Sequence, residues 1–265
     1  MNVEKISFIA AVNNRLVLER NLLRSPALAA GHQHQILIKE GFSSASMAYN
    51  EAVKEATGDI LVFIHQDVYL PQDWLANMLA AIAQLDCRGI RWGVLGCYGV
   101  RRQSEGSMGL GQVYSTGWGL QGKPISDPEP VQTLDEIVLI TRASNGLTFD
   151  SSLPSFHLYG TDLCLIARAR GLQNFVIPAF CVHNTNQLLE LPTDFYKCYS
   201  YVKRKWKSQL PIYTSCIEIS RFDVDMVKRR LQAAVLRGLK LQGTPALRID
   251  DPRTAIPVAG DFANT

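Results

Sequence analysis

This sequence has no C-x-x-C pair, no large charge excess and no long apolar run. The six cysteines lie partly within apolar stretches, where a thiol acts as a small hydrophobe, and we expect them to be reduced. A net charge of +3 is too small to indicate nucleic-acid binding. No segment reaches the roughly 20 apolar residues of a membrane span, and no secretory signal is apparent. We therefore expect a cytoplasmic protein, and contact with the inner membrane surface stays open.

Several common active-site motifs are also missing. The chain contains no G-x-x-x-x-G-K-[ST] phosphate loop, no H-E-x-x-H zinc pair and no G-x-S-x-G nucleophile turn. Residues 117–122 match G-x-G-x-x-G, but they follow no convincing strand and lead into Lys123-Pro124 rather than a helix. We interpret this match as a coincidence within a glycine-rich segment.

The most informative stretch is residues 58–71, GDILVFIHQDVYLP. Five consecutive apolar residues, 60–64, are typical of a strand that is buried on both faces. The run gives way to His65-Gln66-Asp67, and Pro71 then opens a helix with helical apolar spacing. His65 and Asp67 are two residues apart and share a face in extended backbone. Since ligands of open α/β sheets bind beyond the carboxyl ends of strands, these two side chains indicate a site.

The first third of the chain alternates strands with helices. Strands are predicted at 5–12, 34–39 and 60–64, and a helix at 45–56 is capped by Ser43 or Ser44 and stopped by Gly58. This alternation predicts an α/β fold with a mixed, mostly parallel central sheet and helices on both faces.

The remainder is less regular. Further strands are predicted at 94–100, 131–142 and 175–177 and at a segment ending at His183, with a helix that carries Asp162 and closes at Gly171. Residues 101–130 show no period, and we expect a lid, a substrate loop or partial disorder there.

The last part of the chain is basic and helical. The cluster 203–207 either folds over a bound diphosphate or forms a solvated helix face, and a helix at 224–240 either packs on the domain or rests on anionic lipid. We predict a catalytic domain at 1–215 and a helical extension with an irregular tail at 216–265.

Three blocks, taken in order, resemble family 2 glycosyltransferases, which have the glycosyltransferase A-type fold. The blocks are GFSSASMAYNEAVKEATGDILVFIHQDVYLP, FDSSLPSFHLYGTDLCLIARARGL and VIPAFCVHNT, and the resemblance covers residues 5–190. It implies a Rossmann-like nucleotide-binding sheet. It also implies a divalent metal that neutralises the diphosphate leaving group.

The resemblance assigns ligands to that metal. Asp67 stands at the last Asp of the family's Asp-any-Asp-like motif, and His183 matches a late histidine that is a ligand in some relatives. His65 occupies a position where the family usually has Asp, and it either contacts the metal or the ribose or is a polar residue at a strand end. The cofactor is expected to be Mn²⁺ or Mg²⁺, and imidazole among oxygen ligands favours Mn²⁺.

The resemblance makes Asp162 the catalytic base of an inverting transfer. It matches the family's later acidic motif, although Thr161 stands where relatives often have a second acid. Such a carboxylate takes the proton of the attacking acceptor hydroxyl. An acid in a first helical turn, favoured by the helix dipole, is the alternative.

Substrate contacts are implied as well. The predicted donor-binding positions lie at the ends of the first strands and beyond: Ala11, Val12, Asn13, Glu40, Asn50, Gln66 and Lys205. Asp135 resembles an acidic position on the acceptor side, and an exposed strand acid is the alternative.

We therefore predict a metal-dependent inverting glycosyltransferase. It would move a sugar from a nucleoside diphosphate donor, with UDP favoured, to a hydroxyl of a glycan or lipid-linked acceptor. The alternative is a non-catalytic nucleotide-sugar or carbohydrate binding module of the same fold, because His65 and Thr161 replace acids. A sugar-1-phosphate nucleotidyltransferase is disfavoured, since FIAAVNNRLVLERN lacks a glycine-rich phosphate loop.

Overall fold

The computed structural model of this chain describes residues 5–29, 34–239 and 243–257. The first half of the chain contains, in order, β1 (Ile6–Val12), α1 (Arg15–Arg20), β2 (Gln35–Glu40), α2 (Ala45–Glu55), β3 (Ile60–Ile64), β4 (Val68–Tyr69), α3 (Trp74–Cys87), β5 (Trp92–Gly96), β6 (Tyr98–Arg102), β7 (Ser107–Gly111), β8 (Val113–Ser115) and β9 (Gly119–Gln121).

The second half adds seven strands and three helices among the described residues. They are β10 (Glu129–Val131), β11 (Thr133–Leu134), β12 (Val138–Arg142), α4 (Tyr159–Ala169), β13 (Gln173–Val176), β14 (Cys181–His183), α5 (Thr193–Lys205), β15 (Ile212–Tyr213), β16 (Glu218–Ile219) and α6 (Val224–Gly238).

The central sheet confirms the predicted architecture. Its seven strands lie in the order β10-β13-β5-β12-β3-β1-β2, and five of them run in one direction, with β12 and β10 antiparallel to their neighbours. One face packs on α1 and α3, and the other packs on α2, α4 and α5. The sheet is therefore covered on both sides.

Strand β3 lies at the centre of this packing. All five of its residues are at most 3% exposed, and alternate side chains enter the two opposite core clusters. A strand with two buried faces has no position for a polar side chain, which explains the unbroken apolar run. The predicted caps are also found nearby, because Ser44 accepts the Met47 N–H at the start of α2.

The predicted role of Gly58 as a helix stop is wrong. Helix α2 ends at Glu55 with Ala56 as its C-cap, and Gly58 lies against β1. A Cβ at Gly58 would stand 2.5 Å from the backbone nitrogen of Ser7, and the Gly58 N–H donates to Ser7 Oγ at 2.9 Å. This position needs glycine because two backbones meet there.

Two predicted strands are each divided between sheets. The 94–100 strand is β5 in the central sheet and β6 in a three-stranded sheet of order β11-β6-β7. The 131–142 strand is likewise β11 and β12, with Val131 ending β10. An apolar run shows that a strand is buried, but it does not show where the chain leaves one sheet for another.

Residues 101–130, where we expect a lid, a substrate loop or partial disorder, contain regular strands, so the expectation of disorder is wrong. This segment forms β7, β8, β9 and the start of β10, in sheets of order β11-β6-β7 and β4-β14-β8-β9. Its glycines permit close packing: Gly111 has a φ of 77°, and a Cβ there would stand 2.1 Å from the Cys97 carbonyl oxygen. Several glycines of this segment therefore lie where the chain packs closely, and their frequency does not by itself indicate a loop.

The C-terminal part attaches to the domain at several places. The predicted boundary after residue 215 falls inside a hairpin, because Ile212 of β15 pairs with Ile219 of β16. Residues 246–249 bond to Asn184 and Gln187 beyond β14. Within the part of the chain that is described, no helix is both long and apolar enough to cross a bilayer.

Candidate active site

Three short elements bring His65, Asp67 and His183 together. His65 follows β3, and its backbone N–H donates to the carbonyl of Ile137 at 3.0 Å. Asp67 directly precedes β4, and His183 ends β14, which pairs antiparallel with β4 so that His183 lies opposite Val68. We refer to these two histidines and the aspartate, which could hold a metal ion together, as the metal triad.

The triad has the spacing of a metal site. One possible ligand atom from each residue lies within 4.8 Å of the other two. His183 Nε2 is 3.5 Å from Asp67 Oδ1, and the two imidazole rings have centroids 5.7 Å apart. The sequence prediction of these residues as neighbours is consistent with this geometry.

Tyr159, at the start of α4, orients the ring of His65. Its hydroxyl lies 2.6 Å from His65 Nε2 and donates its single hydrogen to the Glu136 carbonyl at 3.1 Å. With the hydroxyl hydrogen on the Glu136 carbonyl, His65 Nε2 donates to the hydroxyl, and in that tautomer Nδ1 has the lone pair that a metal needs.

Charge at the triad is balanced between its members. Burial opposes ionisation of Asp67, but the neighbouring His183 and His65 charges and the bonds from His183 and Arg248 outweigh it, so the pKa of Asp67 lies well below its usual value. Burial lowers the pKa of His65 to about 4. For His183, burial acts in the same downward direction, but Asp67 outweighs it and raises the pKa.

Arg248 approaches the triad from the C-terminal segment. Its Nη2 donates to Asp67 Oδ2 at 3.2 Å. Its buried Nε has no hydrogen-bond partner among residues 5–29, 34–239 and 243–257. The segment is held by Asn184, whose Nδ2 donates to the Ile249 carbonyl at 2.8 Å and whose Oδ1 accepts the Ile249 N–H at 2.9 Å.

A cavity of about 630 Å³ opens beside His183. Asp135 lines it together with aromatic and apolar side chains from several elements, including Tyr98, Trp118, Leu189, Tyr196 and Leu236. One Asp135 oxygen accepts the Ile137 N–H at 3.1 Å, which fixes the carboxylate at the end of the β11–β12 connection. The cavity thus joins a carboxylate to the triad.

Asp162 has a different environment. Its side chain is 1% exposed, and it accepts bonds from Lys205 Nζ at 2.8 Å and Trp206 Nε1 at 2.6 Å. Burial raises the pKa of Asp162 in spite of these donors. Lys205 also bonds Asp150 at 2.7 Å, so the two predicted residues Asp162 and Lys205 form a network with each other.

The predicted donor residues fall into two groups. Gln66 connects the triad to the end of β1, because its Oε1 accepts the N–H of Asn13 at 3.1 Å and that of Asn14 at 3.0 Å. Ala11 and Val12 complete that strand, and Glu40 at the end of β2 pairs with Arg15 at 2.8 Å. Asn50 instead bonds Phe149 and Ser151 from helix α2.

Sequence reasoning missed Arg248, Tyr159 and Glu136. The Glu136 carboxylate accepts the N–H groups of Leu158 at 2.8 Å and Tyr159 at 3.0 Å, where α4 begins. Burial raises the pKa of Glu136 to about 8. Glu136 could have been found from the sequence because it directly follows the candidate Asp135. Arg248 could not, since it lies in a segment without any motif.

The triad fits a divalent transition metal by its donor set. Two imidazoles and one carboxylate converge, and the carboxylate is held ionised by its surroundings. Mixed nitrogen and oxygen ligands suit Mn²⁺ better than Mg²⁺, which prefers oxygen ligands and keeps several waters. Of the predicted ligands, all three are in reach of one ion.

Solved structures show the same fold. GalNAc-T7 with UDP, GalNAc and Mn²⁺ aligns with 78% of this chain and 50% of its own at 10% identity, with a TM-score of 0.55. S. aureus TarS 1-349 in complex with UDP aligns with 76% of this chain and 65% of its own at 15% identity, with a TM-score of 0.49. The likeness to GalNAc-T7 identifies the fold as that of the glycosyltransferase A-type enzymes.

Sequence comparison gives the family. Residues 7–204 match the Glycosyltransferase like family, and the chain belongs to it. A curated relative from Fuscovulum blasticum, described as ATP synthase subunits region ORF 6, is 24% identical over 165 residues, 62% of this chain and 66% of the relative. The chain thus spans half to about two thirds of the proteins it matches.

Proposed function

We propose that this protein is a metal-dependent, inverting glycosyltransferase that uses a nucleoside diphosphate sugar, with UDP as the favoured nucleotide. The observation that carries the proposal is the metal triad, at the carboxyl end of β3 and beside a cavity, in a chain of this family. The UDP complexes of GalNAc-T7 and TarS support the choice of nucleotide. The acceptor is a hydroxyl of a glycan or of a lipid-linked molecule.

Charge around Asp67 favours a diphosphate leaving group. His65, Asp67 and His183 would hold Mn²⁺ or Mg²⁺, which supplies positive charge to the departing oxygens. Arg248 adds a fixed cation at the same carboxylate, and its buried Nε has no acceptor among the described residues. We therefore include Arg248 among the diphosphate-binding residues, with Asn13 and Gln66 on the nucleotide side.

Asp135 is the carboxylate that we propose as the base. In the reaction the acceptor oxygen forms a bond to the anomeric carbon, the bond from that carbon to the diphosphate breaks, and the acceptor proton passes to the carboxylate. Asp135 shares the cavity with His183, whereas Asp162 is occupied by Lys205 and Trp206. The resemblance favours Asp162, so both residues enter the test.

The test measures UDP release from UDP-sugars with Mn²⁺, with and without simple sugar acceptors. We expect slow donor hydrolysis that a chelator abolishes and that Asp67→Asn lowers by about 100-fold or more. Arg248→Ala is expected to weaken UDP binding by about tenfold, measured by calorimetry. Asp127→Asn, an exposed acid paired with Arg88, is the matched control and keeps the wild-type rate.

The carboxylate variants decide the base. Asp135→Asn lowers kcat by about 100-fold or more without lowering UDP affinity if Asp135 is the base. The same loss in Asp162→Asn alone would assign the role to Asp162. UDP-sugar binding without turnover, across many acceptors and with bound Mn²⁺, would instead favour the non-catalytic module.

A further inference from the structure

Helix α6 is almost entirely exposed. None of its fifteen residues is buried, and its outer face carries Val224, Val227, Leu231 and Val235, each at least 50% exposed. Phe222, just before the helix, is 79% exposed, and Leu239, just after it, is 62% exposed. A helix of this length is marginal in water without packing, and soluble proteins rarely expose a continuous apolar stripe. Another surface is therefore needed to cover the outer face of α6.

The inner side of α6 already has its partners. Met226 packs against the core, and Arg229 pairs with Asp225 within the helix. Arg237 pairs with Glu190, and the Arg230 guanidinium lies 5.1 Å from the ring centroid of Tyr196. The helix is thus fixed by its polar side, and its apolar side is turned away from the domain. Of the two alternatives that the sequence left open for this helix, packing on the domain is seen at its polar side, and contact with anionic lipid stays a prediction.

Charge indicates what covers the outer face. Of the charged side chains at 223–237, both acids and three of the basic groups are paired on the inner side, which leaves Lys228, one turn after Val224, as the charge within the apolar stripe. The described residues of the stripe include no acid, so a symmetric second copy would bring two Lys228 side chains together without a partner, which disfavours a dimer through this face. An anionic bilayer matches both features, since apolar side chains enter the acyl boundary while lysine reaches the headgroups.

The outer face of α6 is continuous with the candidate active site. Gln232 and Leu236 line both the apolar stripe and the cavity that reaches His183 and Asp135. Leu188, Leu189 and Leu191 add further apolar surface to the same cavity. A bilayer that covers the stripe would therefore lie beside the mouth of the cavity.

We infer that the outer face of α6 docks onto an anionic lipid bilayer and holds the cavity at the membrane surface. The acceptor class that this placement serves is a hydroxyl compound anchored in the same bilayer by an apolar chain. The acceptor part of the inference rests on the proposed glycosyltransferase function, and the docking part does not.

Vesicle flotation tests the docking directly. The full chain is mixed with vesicles of phosphatidylcholine, alone or with an equal amount of phosphatidylglycerol. We expect flotation with the anionic vesicles only, and a fall of about tenfold or more in the bound fraction for Leu231→Glu. Leu16→Glu is a matched control, because Leu16 is 62% exposed and Leu231 is 61% exposed. Lys228→Glu is expected to weaken binding to the anionic vesicles as well.

Several outcomes would overturn the inference. One is wild-type protein that stays unbound, and another is Leu231→Glu that floats as well as Leu16→Glu. A concentration-dependent dimer that Leu231→Glu abolishes, without vesicle binding, would assign the face to a second copy. Donor hydrolysis is measured in parallel without vesicles. If the wild-type protein does not hydrolyse the donor, the proposed function is contradicted, whereas the flotation result tests only the docking.

Discussion

At the scale of single residues, the site depends on side chains that share one carboxylate. One Asp67 oxygen faces His183 and the other accepts from Arg248, while His65 Nε2 contacts the Tyr159 hydroxyl. A metal held by these residues would take the place of the His183 proton and would add positive charge beside that of Arg248. Asp67 is therefore both the proposed ligand and the residue that organises the metal-free site.

The low pKa of Asp67 predicts how the free energy of unfolding changes with pH. The pKa of Asp67 is lower in the folded protein than its unfolded value of about 3.9, so its contribution is present above that value and lost as pH falls through the folded pKa. Between about pH 4 and pH 2, metal-free wild type is expected to lose more free energy of unfolding than Asp67→Asn. Urea unfolding at several pH values measures this difference. Parallel curves for the two proteins would contradict the prediction.

The sequence contained enough information to find part of this site. His65 and Asp67 stand out because they directly follow a run that has no polar position, whereas His183 is assigned only through the family resemblance. Arg248 could not be found like this, because 181 residues separate it from Asp67 and its surroundings carry no pattern. Its role comes from tertiary contacts through Asn184 and Ile249.

At the scale of elements, Glu136 fixes the start of α4. Leu158 precedes the helix with a φ of 61°, and no side chain of its own caps the first turn. The Glu136 carboxylate accepts the free N–H groups there, and Tyr159 is thereby placed to contact His65. A helix start thus depends on a residue from the β11–β12 connection.

Removing this carboxylate is expected to destabilise the protein. Glu136→Ala leaves the backbone N–H groups of Leu158, Tyr159 and Gly160 without this acceptor in a buried place, which costs about 1–3 kcal/mol of unfolding free energy. Chemical denaturation measures the change. Glu19→Ala, on the exposed side of α1, is the control and is expected to change stability by less than about 0.5 kcal/mol. Equal effects of the two substitutions would show that Glu136 does not cap α4.

Local patterns predicted the elements unevenly. The unbroken apolar run predicts strand β3, and the helical spacing of apolar residues predicts helix α3. Both elements are packed over their whole length. Gly58 and Gly111 misled the prediction, since glycine marks close backbone approach as well as turns and loops. The identity of the neighbouring backbone is tertiary information that a single sequence does not carry.

At the scale of the whole molecule, Asn184 joins three distant parts of the chain. Its Nδ2 donates to Asn21 Oδ1 and to the Ile249 carbonyl, each at 2.8 Å, and its Oδ1 accepts the Ile249 N–H. Thr116 Oγ1 donates to the same oxygen at 3.2 Å. This 1%-exposed amide holds the segment that delivers Arg248 to Asp67.

Asn184→Ala is expected to release that segment. Loss of the buried bonds costs about 2 kcal/mol, and trypsin cleavage after Arg248 is expected to become several-fold faster. The cleavage rate is followed by mass spectrometry under native conditions. Asn77→Ala, exposed on α3, is expected to leave it unchanged. An unchanged rate in Asn184→Ala would show that other contacts hold the segment.

The pairing between β4 and β14 makes the candidate site sensitive to insertions and deletions in the chain just before β14. Only two residue pairs define the alignment, Val182 with Tyr69 and His183 with Val68. Side chains alternate across a strand, so a deletion of one residue between Ile177 and Cys181 would point the His183 imidazole away from Asp67. The side chain of Asn184 or Val182 would then face Asp67 instead. Homologous chains that differ in length here would therefore lack the proposed metal site, whereas a difference after Gln187 would leave its geometry unchanged.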